Sequence, residues 1–306
     1  MKKALLRLVL MLLPGLLLAC APLPPPEPPP TPSPSSTPDP SPTPFGLYGQ
    51  SLLDLTYCTQ KGEAQKLDIY FPEQGGPWPV VFYIHGGSWM EGDKSEAAGL
   101  ATWLNPQGYA VVSINYRFYP YVRFPALIED VKCALRFLRA HHQDYNLDSE
   151  RILAMGASAG GHLATLLATS DATAGWDVGE YADQSSRVTA VIAMSGPMDL
   201  NAKFTGDLGT VVRMAFYKNL DPASPINQVT ADDPPFLLIH GDQDGIVSVA
   251  QSQAMYDKLL EVGVPARLVI VQNGGHDLKA WDGSPTVPTM EEINQIVLEF
   301  MAEQLK

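Results

Sequence analysis

The 306-residue chain is short of cysteine, of histidine, of positive charge and of long apolar runs. Each shortage removes a class of protein. Three cysteines, Cys20, Cys58 and Cys133, are too few for a disulfide-dense scaffold. The six histidines form no pattern with cysteine or carboxylate that has metal-ligand spacing, so neither a metal nor an organic cofactor is expected. Twenty Lys and Arg stand against 33 Asp and Glu, a formal net charge of −13. Such a surface argues against nucleic-acid binding and against polybasic membrane contact. The one strongly apolar run, Leu8 to Leu18, falls short of the roughly 20 residues that a membrane-spanning helix needs.

What is present divides into three segments. Residues 1–19 carry basic Lys2, Lys3 and Arg7, then the apolar run, then the small residue Ala19, which is the three-part design of a secretory signal peptide. Loss of those three basic residues takes the net charge from −13 to −16. Leu17-Leu18-Ala19-Cys20 resembles the lipobox of bacterial lipoproteins. That resemblance implies cleavage before Cys20, lipidation of its thiol and stable anchoring by two acyl chains. An ordinary signal peptide or an uncleaved anchor is the alternative, and either way the domain is exported. Residues 20–44 then form a linker in which 13 of the 24 residues from Ala21 to Pro44 are proline. Proline lacks the amide donor and fixes φ, so this tract forms neither helix nor sheet. As an extended spacer it reaches roughly 75 Å at about 3.1 Å per residue. Export also opens the way to a Cys58–Cys133 disulfide, with two unrelated buried thiols the alternative.

From residue 45 to 306 short β-type runs alternate with longer amphipathic stretches, which predicts one α/β domain with a mostly parallel sheet. Eight strands are expected, at Leu52–Tyr57, Lys66–Phe71, Val80–His85, Ala110–Asn115, Ile152–Gly156, Val188–Met194, Phe236–His240 and Ala266–Val271. The first two should form a hairpin through Lys61-Gly62. Helices are expected at Ser95–Leu104, Leu127–His142, Ala159–Ala168, Val249–Val262 and Thr289–Leu305. Asp171–Ser186 and Asp199–Pro235 read as irregular or inserted, the latter as a short cap over a site.

Gly156-Ala157-Ser158-Ala159-Gly160 fits G-x-S-x-G, and it stands between an apolar strand and the helical Gly161-His162-Leu163-Ala164. A nucleophile elbow needs small residues around a serine that projects from a tight strand-to-helix turn. Ser158 is therefore the expected nucleophile of an α/β-hydrolase fold. The chemistry of a serine alkoxide on a carbonyl also requires preorganised N–H donors for the oxyanion. His85-Gly86-Gly87-Ser88-Trp89 follows the third strand, where such a loop belongs.

Together with Gly92-Asp93-Lys94, Asn115-Tyr116-Arg117, Phe124-Pro125-Ala126, Asp130-Val131-Lys132 and Gly160-Gly161-His162, these motifs resemble the esterases with an HGGG-type loop. Hormone-sensitive-lipase-like and bacterial feruloyl- or acetylxylan-esterase-like enzymes are of that kind. The resemblance implies that Gly87, Ser88 and Ala159 supply the oxyanion amides while His85 and Gly86 support the loop. This chain has Ser88 where many members have a third glycine. A backbone donor tolerates that change if position 88 does not need positive φ.

The order of the fold is serine, then acid, then histidine. His276, in the turn-rich Gln272-Asn273-Gly274-Gly275-His276 after the last strand, is the expected base. His141, His142, His162 and His240 are poorly placed for that role. Asp242 and Asp244 both follow the seventh strand, and the family pattern H-G-x-x-D implies Asp244, with Asp242 and then Asp199 as alternatives. The expected reaction is hydrolysis of short-chain or carbohydrate-linked acetyl or feruloyl esters through an acyl-enzyme. An amidase, arylformamidase or serine peptidase would share the triad, and a noncatalytic surface binding module would share the scaffold. Trp89, Tyr119, Tyr121, Phe124, Phe204, Phe216 and Tyr217 are candidate pocket aromatics, with core packing the alternative.

Overall fold

Alternating apolar residues give the central strands two buried faces. In the strand Leu147–Ala157, Ile152 and Ala154 join one apolar cluster while Leu153 and Met155 join the other. That pattern demands cover on both sides of the sheet. The computed structural model describes residues 46–60, 63–204 and 206–306. The expected signal peptide, Cys20, the proline-rich tract and the Lys61-Gly62 turn lie outside the described residues.

Eight strands form one sheet: β1 (Ser51–Gln60), β2 (Glu63–Tyr70), β3 (Trp78–Ile84), β4 (Ala110–Ile114), β5 (Leu147–Ala157), β6 (Ala190–Met194), β7 (Phe236–Gly241) and β8 (Ala266–Val271). Their spatial order is β1-β2-β4-β3-β5-β6-β7-β8. The β1–β2 and β2–β4 pairs are antiparallel and all other pairs are parallel. Parallel neighbours need crossovers, and the helices supply them. The helices α2 (Ala126–Ala140), α3 (Ala159–Thr169) and α6 (Ala250–Glu261) bury their apolar residues in the first cluster. On the opposite face α1 (Ala98–Leu104) and α7 (Met290–Gln304) cover the second. A capping box begins α7: the Thr289 hydroxyl accepts from the Glu292 amide, and the Glu292 carboxylate accepts from the Thr289 amide. The expected α/β-hydrolase architecture is therefore observed.

Several element ends shift by two or three residues, and two larger differences from expectation stand out. Asp199–Pro235 is not irregular throughout, because α4 (Gly206–Ala215) and α5 (Leu220–Ala223) lie within it. Val211, Val212 and Ala215 bury against the main cluster, and that packing stabilises a helix too short to stand alone. In addition β5 begins five residues earlier than Ile152, at Leu147. Cys58 in β1 and Cys133 in α2 form a disulfide with their Cα atoms 6.5 Å apart, which fastens the antiparallel edge to a helix that covers one face of the sheet. Among the described residues, no helix is long and apolar enough to cross a membrane.

Candidate active site

All parallel strands point their C-terminal ends to one edge, and the loops that leave that edge carry the expected site. Ser158 directly follows β5 and occupies the N-cap of α3 with φ 54° and ψ −121°. A left-handed φ is costly for a residue with a Cβ, so neighbours must hold the turn. They do so with hydrogen bonds: the Ser158 amide donates to the Met194 carbonyl at 2.8 Å, and the Ser158 carbonyl accepts from the His162 amide at 3.0 Å. Gly160 permits the close approach that seats α3 on β3, since a Cβ there would lie 1.9 Å from the Ile84 carbonyl oxygen.

The loop after β3 packs onto this elbow. A Cβ placed at Gly86 would lie 3.6 Å from the Ser158 Cβ. Gly87, Ser88 and Trp89 have φ of 100°, 51° and 58°. Position 88 therefore does take positive φ, the case in which serine is less well suited than glycine. Three consecutive left-handed residues are tolerated because the loop is tied at both ends. Met90 and Glu91 donate their amides to the Gly87 carbonyl at 2.9 and 3.1 Å. The Trp89 indole is wholly buried, donates to His162 Nδ1 at 3.2 Å and packs edge-on against Phe216. His162 Nε2 lies 2.8 Å from the Ala223 carbonyl. A carbonyl only accepts, so Nε2 carries the proton and Nδ1 offers its lone pair to Trp89. Burial holds the His162 pKa down to about 4, although the bond to Ala223 acts the other way. His85 is also buried, stacks on Tyr116 and directs Nδ1 at the Gly86 carbonyl. Its placement is that of a loop support.

The remaining motif residues are held by polar contacts of their own. Asp93 accepts from the Ser95 amide and from the Asn115 side chain, and its bonds to the side chains of Ser95 and Asn115 lead in lowering its carboxyl to about 2. Lys94 is buried between Asp54 at 2.8 Å and Asp68 at 3.0 Å. Arg117 grips the buried Asp130 through both Nε and Nη2, each at 2.8 Å. Such a planar, two-bond pairing fixes geometry as well as charge.

Asp244 and His276 meet at the same sheet edge. His276 Nδ1 lies 2.7 Å from Asp244 Oδ2. The Asp244 side chain is fully shielded from solvent, whereas His276 remains partly open. Burial by itself pushes the Asp244 carboxyl up, but bonds from His240, His276 and the amides of Val247 and Ile246 outweigh it and hold the group well below the usual range. Asp242 instead accepts from the Asn273 amide at 2.7 Å and supports the loop that delivers His276. Asp199 caps its own turn at the Asn201 amide, and it is not the partner of His276. With Nδ1 donating to a carboxylate, the His276 lone pair is on Nε2, the tautomer that a general base requires.

Two of the histidines that are not the expected base still belong to this neighbourhood. His162 supports the loop after β3 through Trp89, and His240 contacts Asp244 Oδ2 at 3.1 Å. Their partners come from other elements, so only the Gly-Gly-His and His-Gly-x-x-Asp patterns hinted at them. The aromatic candidates divide: Trp89, Phe124 and Phe216 are buried and pack on one another, while Tyr121 and Tyr217 are exposed. A cleft of about 860 Å³ lined by Tyr70, Glu73 and Asn105 opens where β2 ends and β4 begins, at the edge opposite Ser158. It takes no part in the site. Among the described residues, no group of three or more His, Cys, Asp or Glu side chains is arranged to hold a metal ion.

Known proteins resemble this chain. Esterase LipC of Mycobacterium tuberculosis is 32% identical over 249 residues, covering 75% of this chain and 61% of that protein. The probable carboxylic ester hydrolase LipM of the same organism is 34% identical over 224 residues, covering 68% and 52% respectively. The chain thus spans about half to three-fifths of the length of these curated relatives. A solved truncated form of a carbohydrate esterase from gut microbiota superposes with a TM-score of 0.68 at 30% identity, over 75% of this chain and 90% of that one. The BD-FAE family model matches residues 67–259, a span that runs from β2 through the loop, elbow and acid almost to the end of α6. With well over half its length inside that model, the chain belongs to the BD-FAE family of α/β-hydrolase esterases.

Proposed function

We propose that this protein is a serine carboxylesterase that acts on short-chain or carbohydrate-linked esters, exported and held to a bacterial membrane through lipid on Cys20. The Asp244–His276 pair at 2.7 Å carries the catalytic reading, because it poises His276 Nε2 as a base at the edge where Ser158 projects from its elbow. In this mechanism His276 takes the Ser158 proton as Oγ attacks the ester carbonyl. The amides of Gly87, Ser88 and Ala159 receive the oxyanion, and His276 then protonates the departing alcohol. Water, activated by the same imidazole, hydrolyses the acyl-enzyme. Asp244 stays ionised throughout and stabilises the imidazolium. The carbohydrate esterase likeness supports sugar-linked substrates. The signal-like residues 1–19 and Cys20 support the anchored address.

Ser158→Ala should abolish hydrolysis of p-nitrophenyl acetate while leaving the circular dichroism spectrum intact. Unchanged turnover contradicts the assignment. A panel of acetyl, butyryl and feruloyl esters plus acetylated xylan ranks the substrates, with an anilide included to expose amidase activity. Radiolabelled palmitate incorporation that disappears in Cys20→Ser tests the anchor. Incorporation by both forms refutes it.

A further inference from the structure

His240 ends β7 and is wholly buried, yet it takes no part in the proton transfers between Ser158, His276 and substrate. Its Nε2 lies 2.9 Å from the Val247 carbonyl and 3.1 Å from Asp244 Oδ2. Both partners accept, so Nε2 carries a proton shared between them. Its Nδ1 lies 2.7 Å from Ser252 Oγ on α6, and a hydroxyl can donate there to the lone pair of a neutral ring. One carboxylate oxygen therefore receives two imidazole N–H groups, from His240 and from His276. The other oxygen, Oδ1, receives the amides of Ile246 and Val247 at 2.8 and 2.9 Å.

The two amides fix Oδ1 but leave the carboxylate free to swing Oδ2 about that point. His240 removes the freedom. It also draws electron density from Oδ2, which weakens the pull of Asp244 on the His276 proton. We infer that His240, oriented by Ser252, is a positioning residue that aims Asp244 at His276 and tempers the basicity of the pair. The inference rests on the esterase reading above. The chain Ser252–His240–Asp244–His276 links α6, the end of β7 and the loops that follow β7 and β8. The titratable groups that His240 meets are Asp244 directly and His276 through it.

The test compares His240→Leu, His240→Gln and Ser252→Ala with the parent in the full chain, using p-nitrophenyl acetate across pH 5 to 9 at about half-unit steps. Leucine removes the donor, whereas the glutamine amide can still donate to Oδ2. Leucine should lower kcat about tenfold, the effect of about 1.4 kcal/mol at the barrier, with KM little changed. The acidic limb of kcat/KM should move to higher pH, since Asp244 then binds the imidazolium more tightly. Glutamine should restore most of kcat and return the limb. Ser252→Ala loosens the ring only and should shift both readouts in the same direction by less; it keeps the question decidable if the leucine variant does not fold. Parent-like kcat and limb in the leucine variant overturn the inference, as does equal loss in leucine and glutamine with an unmoved limb. With an insoluble leucine variant, an unaltered Ser252→Ala enzyme overturns it too. Labelling of Ser158 by a fluorophosphonate probe keeps the two readings apart. A parent that neither labels nor hydrolyses refutes the esterase reading and this inference with it, whereas a labelled parent with indifferent variants refutes this inference alone.

Discussion

Replacing His162 by glutamine should make the protein resist acid better than the parent. The glutamine amide can donate to the Ala223 carbonyl and accept from the Trp89 indole, so both bonds of His162 have a counterpart that does not titrate. The parent imidazole is buried with its pKa held near 4, against 6.5 for the free side chain. A histidine whose folded value lies below its unfolded value binds protons more readily when unfolded, so stability falls with pH below about 6.5 and the loss is complete below about 4. A displacement of this size corresponds to roughly 3 kcal/mol in full, most of which is already lost at about pH 4.5. Asp244 adds little in that window, because its own loss begins only near the ordinary carboxylate range. His85 is shifted the same way by burial and is common to both proteins. Urea unfolding at pH 7.5 and 4.5 measures the difference. The parent should lose about 2–3 kcal/mol more than His162→Gln between the two pH values. Equal losses would refute the account of His162 as a neutral bridge between Ala223 and the Trp89 indole of the loop after β3.

The Trp89 anchor gives a second expectation: Trp89→Phe removes the donor to His162 and should lower kcat about 10- to 100-fold with little change in KM, less than the roughly 10²–10³ for an oxyanion donor that is lost outright. Steady-state kinetics with p-nitrophenyl butyrate checks it, and an unchanged kcat contradicts it. Asp244→Asn should lower kcat by about 10³–10⁴ through the wrong imidazole tautomer, while Asp242→Asn, remote from that bond, should retain far more activity. A reversal of those two would reassign the acid to Asp242. The Cys58–Cys133 bridge closes a separation of 75 residues, for which chain entropy gives about 4 kcal/mol. Scanning calorimetry of the double serine variant should therefore show Tm lower by about 10 °C, and an unaltered Tm removes the stabilising role.

The parts of the site written within one stretch of chain are legible in the amino-acid sequence. The elbow around Ser158 combines a strand, two close-packed glycines and a helix within a few residues, and the serine, acid, histidine order follows from successive loops. Alternation reveals the strands for the same reason, since it reports a local periodicity. Spatial order is another matter: β4 lies between β2 and β3, and only tertiary packing decides that exchange. The helix α4 is hidden because its stability comes from burial of Val211, Val212 and Ala215. Long-range side-chain bonds are equally invisible, as with Trp89 and His162, 73 residues apart. His240 sits only four residues before Asp244, yet the ring's direction depends on Ser252 from a following helix. The φ of Ser88 is left open by the sequence for a related reason, because the left-handed turn stands beside a buried indole whose partners are distant in the chain. Trp89, Phe124 and Phe216 look like pocket residues by type, but they pack on one another beneath the loop.

The central claim is that Ser158 is the nucleophile, activated by the Asp244–His276 pair. Treating the protein with a fluorophosphonate and locating the adduct by peptide mass spectrometry tests it most directly. The account predicts stoichiometric modification at Ser158, parallel loss of esterase activity, and no labelling in Ser158→Ala. An adduct on another residue, or full activity with Ser158 modified, would contradict it.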